Sequence, residues 1–166
     1  MTSPGRNVRP TAEEVRDRWL RALEPRVRGA RVLDLFAGCG ALGLEGLSRG
    51  AAACDFVENG PASLHALKAN VAALRAGRRA RVFKRDAIPF LEGLEPKSYD
   101  LAFADPPYGS RKLDRVVERW LEVPFAAVLT VEHARDHRSP TLARAEKRLD
   151  FGDTRVSFFE VTAVAG

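Results

Sequence analysis

A chain of 166 residues, 45% of them hydrophobic, can bury about two thirds of its unfolded surface in one core and is too short for two comfortable ones. One domain over residues 1–166, working as a monomer, is therefore expected. The formal net charge of +5 favours a polyanionic partner but does not locate a site for one. The only two cysteines, Cys39 and Cys54, show no C-x-x-C spacing and have no histidine near them, which fits a reducing cytoplasm and gives no metal site. No stretch approaches the ~18 apolar residues of a membrane span, and the N-terminus lacks an apolar targeting core. A cytoplasmic protein without membrane or metal is the expectation.

Residues 1–8 are expected to be flexible, with a first helix inside 9–24. Thr11 and Glu14 have capping-box spacing, and Val15, Trp19 and Leu23 then share one helical face. Apolar strand-like runs follow at 31–36, 53–58, 80–84, 99–105 and 126–133, several apolar at nearly every residue, as in strands covered on both faces. Helical stretches separate them at 41–49, 61–74, 87–94 and 112–121. Such alternation specifies an α/β fold: a doubly wound, Rossmann-like, mostly parallel sheet with helices on both faces. The tail breaks the rhythm. Residues 143–164 read as two strands around the Gly152-Asp153 turn, so an antiparallel hairpin closes one edge.

In such a sheet ligands bind outside the carboxyl ends of the strands, which singles out residues that end strands or follow them. Gly38, Gly40 and Gly43 spell G-x-G-x-x-G, and Glu58 stands twenty residues beyond Gly38, the written fingerprint of a dinucleotide site. Gly38 and Gly40 permit a tight turn and close backbone approach, and the next helix offers N–H groups to an anion. That anion is a pyrophosphate in a dehydrogenase, but a methionyl carboxylate fits the same ground. Asp34 tips the balance, because a carboxylate inside an apolar strand requires a partner; an α-ammonium group suits it and a pyrophosphate does not. Glu58 can accept hydrogen bonds from ribose hydroxyls of either cofactor. Asp86 can accept from an adenine amine, with the backbone of Ala87 at the ring edge, or can equally serve as a helix N-cap.

The run Asp105-Pro106-Pro107-Tyr108 separates the cofactors. Two prolines at a strand's carboxyl end fix φ and remove two N–H donors, leaving a stiff turn whose carbonyls and the Asp105 carboxylate are acceptors only. Acceptors alone invite an amino group. Hydrogen bonds from an exocyclic nucleobase amine to Asp105 and the Pro106 carbonyl would favour a pyramidal nitrogen and direct its lone pair at an electrophilic methyl, while Tyr108 offers a ring for the base to stack on. Nicotinamide chemistry gives no reason for this turn.

These residues resemble those of the RsmD-type family, class I S-adenosylmethionine-dependent methyltransferases that modify the exocyclic N2 of a guanine in bacterial small-subunit ribosomal RNA. The likeness runs through residues 9–20, 32–51, 105–108 and 152–160. It implies a seven-stranded sheet with an antiparallel last strand, S-adenosylmethionine held by Asp34, Phe36, Ala37, Gly38, Gly40, Glu58, Asp86 and Ala87, and the target amine held by Asp105, Pro106, Pro107 and Tyr108. Cys39 stands where the family usually has serine, a nearly isosteric change. Typical members also carry basic β-strands ahead of the segment that starts here at Arg9.

Sorted by the same geometry, Arg9, Arg111 and Lys112, with Arg115, Arg135 and Arg138, are on the side where RNA phosphates would lie. The denser cluster at 75–85 precedes or lies in the third strand and reads mainly as a solvated loop, and neither His133 nor His137 is given a catalytic task. The partner expected is ribosomal RNA, free or in an assembled small-subunit particle. An adenine-N6 methyltransferase uses the same acceptor geometry, a protein glutamine methyltransferase usually has asparagine in place of Asp105, and a non-catalytic nucleic-acid-binding module would keep only the fold.

Overall fold

The computed structural model describes residues 12–161. Thr11, and with it the capping box, and Arg9 lie outside the described residues. Five strands, β1 (Arg31–Leu35), β2 (Ala53–Glu58), β3 (Ala80–Lys84), β4 (Tyr99–Ala104) and β5 (Ala126–Ala134), alternate with helices and are followed by the hairpin β6 (Lys147–Phe151) and β7 (Thr154–Glu160). The sheet order is β3-β2-β1-β4-β5-β7-β6. β1 to β5 pair in parallel, and β7 runs antiparallel between β5 and the edge strand β6. The expected seven-stranded, mostly parallel architecture is present.

The helices are α1 (Ala12–Ala22), α2 (Glu24–Val27), α3 (Ala41–Ser48), α4 (Pro61–Ala73), α5 (Ala87–Glu92) and α6 (Lys112–Glu122). The first differs from expectation: Pro25 in the first turn of α2 lacks the N–H that would continue α1, so the chain turns at Leu23 and restarts. A short 3-10 turn at Leu142–Arg144 before the hairpin was also not legible.

Strand side chains alternate between two cores. On one face Val32, Cys54, Phe56, Leu101, Phe103, Val128, Val156 and Phe158 pack beneath Trp19, Leu20, Leu23, Val27, Leu44, Leu47 and Leu67 of the α1 to α4 side. On the other, Leu33, Leu35, Val57, Ala102, Ala104, Leu129, Val131 and Phe159 meet Phe90, Leu91, Val116, Val117 and Trp120 from α5 and α6. Trp19 anchors α1 to the sheet: its Nε1–H donates to Thr130 Oγ1 at 2.8 Å, and that hydroxyl donates on to the Ala102 carbonyl at 3.2 Å.

Part of the basic 75–85 segment is not merely solvated. Arg81 makes a bidentate pair with Asp55, at 2.8 and 2.7 Å, and the Tyr99 hydroxyl donates to the same carboxylate at 2.7 Å. Arg79 donates to the Leu47 and Ala51 carbonyls, both at 3.1 Å. These arginines clamp strand beginnings, away from the carboxyl ends where the candidate site lies.

Candidate active site

Period-two alternation places Asp34 of β1 and Glu58 of β2 on the α1–α3 face of the sheet. Continuing it one residue past β4 gives Asp105, and following it along β5 past Val128 and Thr130 gives Glu132. Since Ala104 is in register with Val131, Asp105 and Glu132 are neighbours across adjacent strand ends. A cleft of about 450 Å³ opens there, lined by Asp34, Phe36, Ala37, Gly38, Asp105, Tyr108 and Glu132, with Val15, Arg16 and Trp19 of α1 on the opposite wall. Four carboxyl groups thus share one end and one face of the sheet, three of them lining the cleft.

The turn after β1 is shaped by backbone conformation. Phe36 leaves the strand at φ 55°, and Gly38 and Gly40 follow at 59° and 83°, a left-handed region that glycine enters without strain. The three glycines have different duties. A Cβ on Gly38 would meet nothing within 4 Å, so its backbone is open to the cleft. Gly40 is buried at the start of α3, where a Cβ would collide with Leu67 of α4; it seats the helix and is not among the residues that line the 450 Å³ cleft. Gly43 lies directly over β1 and β2, and its N–H donates to Asp34 Oδ2 at 3.1 Å.

Asp34 was expected to require a cationic ligand as its partner, and the protein already supplies one hydrogen bond, from Gly43. The carboxyl remains strained: burial pushes its pKa well up, the Gly43 N–H opposes this, and the charges of Asp105 and Glu58 add to the rise. A cation in the cleft would relieve it.

Glu58 is more heavily engaged than its expected ribose role implied. Its Oε1 accepts from Gly38 N–H at 2.8 Å, and Oε2 accepts from Asn59 N–H at 3.1 Å and Gly60 N–H at 2.8 Å. It holds the glycine turn in place and retains one unfilled lone pair, on Oε1. Asn59, which sequence reasoning missed, donates from its side chain to Asp86 Oδ1 and so ties the ends of β2 and β3 together. Asp86 occupies the N-cap position of α5 but makes no side-chain cap bond, and Ala87 behind it is buried. Glu58, Asp86 and Ala87 are on the expected end of the sheet, outside the lining of the 450 Å³ cleft.

At the acceptor end Tyr108 is 58% exposed, and its hydroxyl meets Thr154 Oγ1 of β7 at 2.9 Å. The ring is fixed at its far edge with a face available to a base. Pro106 is buried and Pro107 exposed. The Pro107 carbonyl is not an outward acceptor as expected: Ser110 consumes it, through N–H at 3.3 Å and Oγ at 2.7 Å. The turn is stiffer than two prolines alone would make it, and has one acceptor fewer.

Asp105 corrects a second expectation, since it is not an isolated acceptor. Loss of water around its cleft-facing carboxyl raises its pKa, opposed by a hydrogen bond with Glu132. Burial, then that hydrogen bond and the Asp105 charge, push the Glu132 carboxyl up to about 8. A hydrogen bond between two carboxyl groups needs a proton, so the pair holds one at neutral pH. The strand-end rule that selects Asp105 also covers Glu132; what the sequence does not show is that β4 and β5 adjoin.

Of the basic residues, Arg111 and Lys112 are exposed at the start of α6, and Lys112 Nζ lies 6.0 Å from the Phe36 ring centre. Arg115 is not available as expected, because Glu92, Glu118 and Glu122 surround it at 3.1, 3.7 and 3.5 Å. A second groove of about 630 Å³ shares Tyr108 and carries Arg135 and Arg138. His133 is buried on the other face between Ser157 Oγ, 2.7 Å from Nε2, and the Ala134 carbonyl, 2.8 Å from Nδ1.

The model of the family described as Conserved hypothetical protein 95 matches residues 1–160. YlbH of Bacillus subtilis (strain 168), named as a candidate rRNA methyltransferase, is 31% identical over 166 residues, covering 97% of this chain and 88% of that one. Ribosomal RNA small subunit methyltransferase D of Escherichia coli (strain K12) is 40% identical over 115 residues, 69% of this chain; the matched region spans 56% of that protein's length. Among solved structures, a candidate methyltransferase, yhhF, from Escherichia coli superposes with a TM-score of 0.78 at 31% identity, covering 96% of this chain and 90% of that one.

Proposed function

This chain belongs to the Conserved hypothetical protein 95 family, the RsmD-type group that its sequence resembles, and on that premise we propose that it methylates the exocyclic N2 of a guanine in small-subunit ribosomal RNA. One observation carries the reading: a single cleft joins the acidic, glycine-turned end of β1 to the Asp105 and Tyr108 end of β4.

S-adenosylmethionine supplies an electrophilic methyl on a sulfonium, and its ammonium and sulfonium cations suit a cleft lined by Asp34, Asp105 and Glu132. Asp34 would face the ammonium, the Gly38 turn would hold the methionyl backbone, and Glu58 would keep that turn closed while offering its remaining lone pair to the ribose. Phe36 and Ala37 wall the cleft between the two ends. Asp105 and the Pro106 carbonyl accept the two amine N–H bonds, and Tyr108 stacks beneath the base. These residues work by positioning and by electrostatic preorganisation. Arg111, Lys112, Arg135 and Arg138 flank Tyr108 and provide phosphate contacts for the strand that presents the flipped nucleotide.

Two outcomes test this directly. Mass spectrometry of ribosomal RNA nucleosides from a deletion strain should show a loss of N2-methylguanosine that the restored gene reverses. A loss of N6-methyladenosine in its place would assign the adenine reading, and no change in any methylated nucleoside would overturn both. Second, Glu58→Ala frees the Gly38, Asn59 and Gly60 N–H groups together. The Kd for S-adenosylmethionine, measured by calorimetry, should rise by about tenfold or more, the size of one to two lost charge-assisted hydrogen bonds, with kcat at saturating cofactor changed far less.

A further inference from the structure

Glu132 is given no contact of its own in the reading above beyond lining the cleft, yet it lies beside Asp105 at the next strand end. We propose that Asp105 and Glu132 act as one carboxyl pair that exchanges its proton for the sulfonium charge, so that the cleft is charge-matched to S-adenosylmethionine before transfer and to S-adenosylhomocysteine after it. The inference rests on the cofactor assignment, though not on the identity of the base.

The geometry sets up the exchange. The titratable and charged groups that line the cleft with Glu132 are Asp105 from β4, Asp34 from β1, Arg16 from α1, and the Tyr108 phenol and Cys39 thiol from the turns; Glu58 of β2 lies behind the Gly38 turn, its carboxylate engaged by the Gly38, Asn59 and Gly60 N–H groups. On the β7 side it is in register with apolar Val156. Among the described residues carboxyls therefore outnumber the one guanidinium, and two of them in contact cannot both ionise cheaply without an added cation. A positive sulfonium in the cleft supplies that cation and drives the shared proton out to solvent.

Charge balance then runs through the transfer step. The amine nitrogen forms a bond to the methyl carbon as the carbon–sulfur bond breaks with its electron pair left on sulfur. Positive charge moves from sulfur to nitrogen, and the N–H proton passes to Asp105, where the pair again shares it. The cleft loses a cation and a negative charge together. Product release then leaves the pair protonated, as it is in the empty cleft, so each cycle sends one proton to solvent when fresh cofactor binds.

The sign of the pH dependence follows. The pair gains negative charge as pH rises through about 8, so affinity for the cation must rise over that window while affinity for the neutral thioether stays nearly flat. Calorimetry in buffers of different ionisation enthalpy reads this without any RNA. At pH 7, wild-type protein should release about 0.5 to 1 proton more per S-adenosylmethionine than per S-adenosylhomocysteine, since any proton that Asp34 gives up to the ammonium is common to both ligands. The ratio of the two affinities should grow by roughly tenfold between pH 6.5 and 9, as one shared proton is lost.

Glu132→Gln keeps the shape and an N–H donor toward Asp105 but cannot titrate. It should abolish both the difference in proton release between the two ligands and the pH-dependent ratio, with thermal unfolding confirming that it folds. Equal proton release by the two ligands in wild type, or a difference between them unchanged in Glu132→Gln, would overturn the proposal and leave the methyltransferase reading intact. Failure of either ligand to bind would overturn both.

Discussion

Asp105→Asn should lower single-turnover methyl transfer by about 10²- to 10³-fold, the scale on which removal of one preorganised electrostatic contact is felt. The substitution keeps size and shape but can turn an NH₂ toward the amine, replacing attraction by donor-to-donor conflict. Cofactor affinity at pH 7 should stay within a few-fold of wild type. The reason is charge conservation: wild type holds one proton on two carboxyls, and the variant leaves Glu132 as a lone carboxylate freed of the Asp105 charge that helped to raise it. Either way the site contributes one negative charge before the cofactor binds, and the second charge that wild type gains on binding is largely offset at pH 7 by the cost of expelling the shared proton. Measurement of kcat against the cofactor Kd separates the cases, and a parallel loss of both would mean that Asp105 holds the cofactor and not the amine.

The second large effect is structural and concerns Gly43. A Cβ there would come within 2.5 Å of Phe56 Cε1 and 2.8 Å of both Asp34 Oδ2 and Cys54 Sγ. None of these can retreat easily, since Phe56 and Cys54 are fully buried and Asp34 accepts the bond from Gly43 itself. Gly43→Ala must therefore lift α3 from the sheet or break the Asp34 contact. Overpacking of this kind costs about 3 kcal/mol, which for a chain of this length lowers Tm by about 6 to 12 °C. Gly38→Ala is the control. Its Cβ meets nothing, leaving only the φ of 59°, so the loss should be near 1 kcal/mol. Differential scanning calorimetry on both variants checks the contrast.

Much of the fold is legible because parallel strands covered on both faces announce themselves as short apolar runs, and each run here coincides with a strand to within a few residues. The lining of the candidate cleft is legible where chemistry and strand ends coincide, as at Asp34, Gly38, Asp105 and Tyr108. What escaped were relations between elements. Glu132 becomes the partner of Asp105 only when β5 is laid beside β4. Thr154 reaches Tyr108 only because β7 enters the sheet next to β5 and not at its rim. Gly40 and Gly43 look alike in a motif, yet one abuts Leu67 and the other Phe56, which no spacing rule distinguishes. Arg115 resembles its neighbours in sequence, but three glutamates claim it.

The placement of β7 has a consequence for how the molecule comes into being. Its residues pair along β5 from Val128↔Glu160 to Ala134↔Thr154, so during synthesis β5 presents a long row of unpaired N–H and C=O groups until residues 154–160 have left the ribosome. The same segment brings the hydroxyl that steadies Tyr108. A nascent chain lacking it would have an adhesive sheet edge and an unbraced stacking platform at once. The strand that completes the sheet is thus also the one that braces the Tyr108 ring.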